Sequence, residues 1–209
     1  MKRYGIRSCI VFAGALALAA ALPAQDKTAQ KPAAKPGAPD QAAMMEMMKK
    51  ASTPGDMHKK LDDMVGTFNA ELKMWMDPSK PPETSKGTET SAWALGGRFV
   101  ETKFEGTFMG QPFNGLGYTG YDNVQKKYVG TWMDTAGTGM MFSTCTLDAT
   151  GKSMTCKSST VWDPMSGKQT PMEFKTTWTD RDHHTMEMFG AGPDGKNYKM
   201  MEISYTRKS

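Results

Sequence analysis

His184, Met186 and Met188 stand at alternate positions in the last quarter of the chain. In an extended segment this spacing puts an imidazole and two thioethers on one face, a soft set suited to Cu(I) or a haem iron. No second histidine shares that face, because His183 points the other way, so core packing is the simpler reading. Met44, Met45, Met47 and Met48 form a second soft cluster. It is suited to Cu(I) capture or to sacrificial oxidation, with an amphipathic turn as the simpler reading. Cys145 and Cys156 are spaced for a hairpin with its turn at Thr150-Gly151, which sets the two side chains opposite each other for a disulfide. Arg98 shares a parity with Val100, Thr102, Phe104 and Phe108, away from Glu101, Lys103 and Glu105. That parity aims it at an interior or a rim, where a guanidinium must be paired or would receive a ligand carboxylate. Trp93, Trp132, Trp178, Tyr118 and Tyr205 are the large aromatics with polar tips, each a candidate for lining a cavity against an apolar ligand.

Catalytic signatures are missing from the sequence. There is no Gly-x-Ser-x-Gly, His-Glu-x-x-His, phosphate loop or Cys-x-x-Cys. Gly115-x-Gly117-x-x-Gly120 has dinucleotide-loop spacing but opens no helix. With three histidines and scattered carboxylates, no acid–base pair can be placed, and the reading leans away from an enzyme.

The elements that must position these groups begin after a targeting segment. Lys2, Arg3 and Arg7 precede an apolar run from Cys9 to Leu22, and Pro23-Ala24 follows, so residues 1–24 read as a secretory signal. The run is short for a membrane span, and no span is expected after cleavage. The protein is expected in the periplasm or outside the cell. Of the 26 basic residues three leave with the signal, so 23 remain against 22 acidic ones, and a basic nucleic-acid surface loses its support. Residues 25–53 are rich in Pro, Ala and Met and read as a flexible tail. One domain, 54–209, remains.

Thr53-Pro54-Gly55-Asp56 reads as a helix start, with Thr53 as cap and a stripe of Met57, Leu61, Met64 and Val65 ended by Gly66. From Thr67 the apolar period becomes two. Phe68, Ala70, Leu72, Met74 and Met76 alternate with polar residues, and about ten such runs follow, separated by turn residues such as Gly96-Gly97, 122–126, 163–168 and 192–195. The pattern predicts an all-β, roughly ten-stranded antiparallel up-and-down barrel with one short N-terminal helix, closed by pairing 198–207 with 67–76. Small residues such as Ala92, Ala94, Gly115, Gly117, Thr119 and Gly130 read as interior positions.

Several segments carry a resemblance. His58-x-x-Leu61 leads to Gly66-Thr67-Phe68, then come Leu95-Gly96-Gly97-Arg98-Phe99, Phe108-Met109-Gly110-Gln111-Pro112-Phe113 and Gly117-Tyr118-Thr119-Gly120-Tyr121-Asp122-Asn123. Lys126 to Asp134, Asp163 to Lys168 and Met201 to Lys208 complete the set. In this order they resemble the domain of unknown function 1579 over about residues 55–208. The resemblance implies a calycin-like, lipocalin-like barrel and no reaction or cofactor. The expected function is non-enzymatic binding of a small apolar ligand in the lumen. The alternatives are an enzyme acting on a lipid-like substrate there, and Cu(I) or haem binding through Met and His.

Overall fold

Alternation alone makes a strand only where the polar side has water and the apolar side has a partner, and here both conditions are met by closure. In the computed structural model, residues 40–163, 167–192 and 195–209 are described, with backbone alone for Ser159, Thr160 and Asp163. The sequence-predicted signal and the spacer up to residue 39 lie outside the described residues, as do 164–166 and 193–194 of two predicted turns.

The strands are β1 (Gly66–Met74), β2 (Glu83–Ala94), β3 (Phe99–Phe108), β4 (Gln111–Asp122), β5 (Lys127–Asp134), β6 (Met141–Leu147), β7 (Ser153–Asp163), β8 (Lys168–Trp178), β9 (His183–Ala191) and β10 (Asn197–Arg207). Each pairs antiparallel with the next, and β1 pairs with β10, so the sheet is a closed barrel with no free edge. The closing register sets Phe68 opposite Arg207, Ala70 opposite Tyr205 and Leu72 opposite Ile203. Phe68 is fully buried and Ala70 and Leu72 nearly so, which fixes the inward parity of β1 and, through the ladders, of every other strand. Burying a side chain the size of Phe68 is worth about 1.5–3 kcal/mol, and a one-residue slip would forfeit the whole inward row. Gly96 and Gly97, at φ 65 and 80, supply the left-handed backbone of the β2–β3 turn.

The N-terminal segment departs from the sequence reading in detail. Gln41–Ser52 is a 12-residue helix, α1, rather than flexible tail. Asp40 caps it by accepting from the Ala43 amide at 2.8 Å, and Lys49 and Lys50 lie at its C-terminal end, where the helix dipole favours them. Thr53 ends this helix instead of starting the next one: its hydroxyl donates to the Lys49 carbonyl at 2.7 Å. Pro54 keeps Thr53 extended. The one helix predicted from the sequence, with its stripe from Met57 to Val65, is a single turn, α2 (Asp56–Lys59), followed by a 3₁₀ turn at Asp62–Met64. Leu61 between them is fully buried and plugs one end of the barrel.

That plugged end is an apolar layer of Leu61, Val100, Tyr128, Cys145, Met154 and Trp178. A separate apolar cluster of Phe68, Ala70, Leu72, Phe104, Ile203 and Tyr205 lies against the opposite wall, with Phe113, Trp132, Met186 and Met201 packed on it. Arg207 latches the plugged end. Its guanidinium lies 4.5 Å from the Phe68 ring centre and donates to the Val65 carbonyl at 2.8 Å, the Arg181 carbonyl at 2.8 Å and Asp182 Oδ1 at 2.9 Å. Cys145 faces Cys156 across β6 and β7, and the two are disulfide-bonded.

Candidate functional site

Thr102, Thr119, Gly130, Ser143, Phe174, Thr176 and Met186 all point inward by register and all keep accessible surface. Ser, Thr and Gly stand at many of these inward positions, where small side chains leave space along the wall.

Glu89 is a half-buried, inward-facing carboxyl of this wall. On β2 it stands opposite Phe68 of β1 and Phe104 of β3, both buried. Burial between two phenyl rings pushes its carboxyl up to about 7, against the opposing pull of hydrogen bonds from Tyr205 and Ser91. Ser91 Oγ lies 3.3 Å from Glu89 Oε1 and 2.9 Å from Thr102 Oγ1, so a short polar row runs from β2 to β3. Tyr205 is 6% exposed, and burial first, then the nearby Glu89 charge, raises its phenol well above its ordinary value.

His184 completes the group. Its ring stacks on Tyr205 with centroids 4.3 Å apart and an interplanar angle of 14°, and it meets Phe68 edge-on at 4.8 Å. Burial, followed by the Arg207 charge, depresses its pKa to about 4, so the imidazole is neutral. Neither His184 Nδ1 nor the indole nitrogen of Trp178, its ladder partner, has a hydrogen-bond partner. Met186 and Met188 share the inward face of His184, as their parity predicts. Among the described residues no three His, Cys, Asp or Glu side chains gather in a metal-binding group.

Trp132 forms the facing wall. Its six-membered ring spans two glycines of β4: a Cβ at Gly115 would lie 2.1 Å from one edge of the ring, and a Cβ at Gly117 2.9 Å from the other. The indole therefore lies flat on a glycine shelf and packs against the apolar cluster around Phe68 and Phe104. Its Nε1 donates to Asp134 Oδ2 at 2.9 Å.

The sequence-predicted residues divide accordingly. Trp132 and Tyr205 point inward, and both belong to the apolar cluster around Phe68 and Phe104. Trp93 and Trp178 point inward but belong to the plugged end, where Trp93 Nε1 donates to Asp62 Oδ1 at 3.0 Å and holds the 3₁₀ turn. Tyr118 is on the outer face. It shares the parity of Leu116, not of Gly117 and Thr119, and its hydroxyl donates to Glu101 at 2.6 Å beside Lys103. Arg98 does not reach the interior either. Strand β3 begins one residue later, so its parity no longer constrains it, and its exposed guanidinium folds back on the Leu95 carbonyl at 3.0 Å. Ala92 is exposed, because Trp93, opposite Val100, takes the inward position. Glu89 and Arg207 were not singled out from the sequence. The signal for Glu89 was its parity with Gly87, Ser91 and Trp93, readable once β1 and β2 are set in register.

Comparisons with solved structures agree with the barrel. Rv2717c from M. tuberculosis is similar at a TM-score of 0.55 and 13% identity, over 75% of this chain and all of that one. The S-type phycobiliprotein lyase CPES from Guillardia theta is similar at a TM-score of 0.51 and 9% identity, over 78% of this chain and 97% of that one. At such identities the likeness is one of fold. None of the curated proteins matches. The profile of the family described as protein of unknown function (DUF1579) matches residues 53–207, a span that covers the whole barrel and the turn that plugs it, and the chain belongs to that family.

Proposed function

We propose that this chain is an exported, non-enzymatic binding protein that holds a small, largely apolar molecule in the barrel lumen. The observation that carries the reading is the accessible surface kept by inward side chains in the middle of a closed barrel. Trp132, Phe174, Met186 and Met188 supply apolar, polarizable surface around that space, and Glu89, Ser91 and Thr102 supply a few convergent polar groups, which is the composition of a small-molecule site. Export is supported by the basic-then-apolar N-terminus and by the disulfide across β6 and β7. The test is mass spectrometry of organic extracts of the natively purified protein, together with titration by the neutral dye Nile red. A co-purified apolar compound that Nile red displaces is expected; an empty extract and no dye uptake would overturn the reading. Sequencing the mature N-terminus from the cell envelope tests export separately.

A second reading is an enzyme using the same lumen, and Glu89 is what favours it. A carboxyl that titrates near neutrality beside a buried phenol is suited to proton transfer. Incubating the extracted compound with the protein and finding it chemically unchanged would exclude this reading.

A further inference from the structure

Charges of both signs have inward parity, the carboxylates in the majority among the described side chains. Within the described strands, the acidic side chains of inward parity are Glu89, Asp134 and, at the exposed mouth, Glu83. The basic ones are Lys168, exposed where β8 begins, and Arg207, which lies at the plugged end and is held by two carbonyls and Asp182. On this wall the ionisable groups gathered between mouth and plug are Glu89, Tyr205 and the neutral His184. Trp132 stands across β3 and β4 from Glu89, packed on the Phe104 cluster and with Asp134 on its ring nitrogen. An aromatic face is attractive to a cation, the more so beside carboxylates in a space poor in water.

We infer that the lumen selects ligands that carry a protonated amine on an apolar body, the ammonium meeting Glu89 and the body lying against Trp132, Met186 and Met188. The inference rests on reading the lumen as a ligand site and adds the chemical class. Glu89 stands between Phe68 and Phe104, where an ionised carboxyl has little solvation, and an ammonium would supply the missing counter-charge. A fatty-acid carboxylate at the same place would meet a like charge. Arg98, the one cation expected from the sequence to receive such a group, is outside.

The experiment compares three probes of equal chain length, octylamine, octanol and octanoate, on the full-length chain at pH 8 by tryptophan fluorescence and thermal shift. Octylamine is expected to bind at least about tenfold more tightly than octanoate, with octanol between them. Glu89→Gln, close in shape, is expected to remove the advantage of the amine over octanol, while Asp134→Asn reduces that advantage less. Octanoate binding as tightly as octylamine overturns the amine class and leaves the ligand site standing. A preference that persists in a folded Glu89→Gln variant overturns the role of Glu89. Binding of none of the three overturns both this inference and the reading beneath it. The wild-type comparison decides the class even if the variant does not fold.

Discussion

Tyr205 and His184 lie face to face across the β9–β10 ladder, 4.3 Å between ring centres, and the far side of Tyr205 looks to Glu89. Two interior groups with opposite titration behaviour thus share one aromatic neighbour. The ladder neighbours of Glu89 are Phe68 and Phe104, which do not titrate, and Tyr205 and Ser91 are its hydrogen-bonding neighbours. His184 faces Trp178, Tyr205 and Phe68, with Arg207 acting on it at charge range.

This pair sets the pH profile of stability. The raised Glu89 favours the folded state fully below 4.5, and that contribution is lost as pH rises through about 7. The depressed His184 contributes fully above 6.5, and its contribution is lost as pH falls through about 4. Each is worth at most about 3 kcal/mol, and between 4.5 and 6.5 the slopes oppose each other. Urea melts from pH 4 to 8 should show a plateau near pH 5–6, an acid limb that disappears in His184→Phe, and a loss above 6.5 that disappears in Glu89→Gln. An alkaline loss unchanged in Glu89→Gln would refute the assignment.

Arg207→Ala should cost about 2–3 kcal/mol, since it removes charge-assisted bonds to Val65, Arg181 and Asp182 together with the contact on Phe68. Arg207→Lys should recover only a small part, because an ammonium cannot spread over two carbonyls and a ring in one plane. Equilibrium urea unfolding of the two variants measures both effects.

The glycine shelf makes a separate prediction. Gly115→Ala must displace the Trp132 ring, whose nearest atom is 2.1 Å from the new Cβ. The expected cost is about 1–3 kcal/mol, with a red shift in tryptophan emission and weaker Nile red binding. Gly110→Ala serves as the control at the β3–β4 turn, where an added Cβ meets nothing within 4 Å: it carries only the backbone cost of its positive φ and should leave emission unchanged.

Reducing the Cys145–Cys156 bond, which closes an 11-residue separation, should lower stability by about 2–3 kcal/mol. The register of β6 on β7 should survive, because Leu147 and Met154 still pair one step further on. Thermal melts with and without reductant, set beside the Cys145→Ser/Cys156→Ser double variant, test this.

Much of the barrel was legible because alternation is a local signal. Phe68, Ala70 and Leu72 announce their face without reference to any other strand, and closure of β1 on β10 follows once ten such runs are counted. The site was less legible. Glu89 sits in a polar run, Ser85 to Thr90, where neither face looks apolar, so its inward aim exists only through the register with Phe68. Tyr118 misled for the converse reason, since an aromatic ring invites an interior reading although its strand neighbours Gly117 and Thr119 hold that side. Helix α1 was legible only as a turn around Met44–Met48 because all of its residues are exposed: with no apolar face to bury, its ends are marked by Asp40, by the Thr53 hydroxyl and by the amide of Asn123, which reaches the carbonyls of Lys50, Ala51 and Thr53.

The seam between β1 and β10 joins residues such as Lys73 and Glu202 that are 129 positions apart. A nascent chain still lacking its last dozen residues therefore carries two raw strand edges and an unzipped Phe68–Leu72 face, whatever the other nine strands have done. Emergence of β10 becomes the trigger for closure. Loss of even a short C-terminal stretch converts a sealed cylinder into an aggregation-prone sheet rather than into a slightly smaller cylinder.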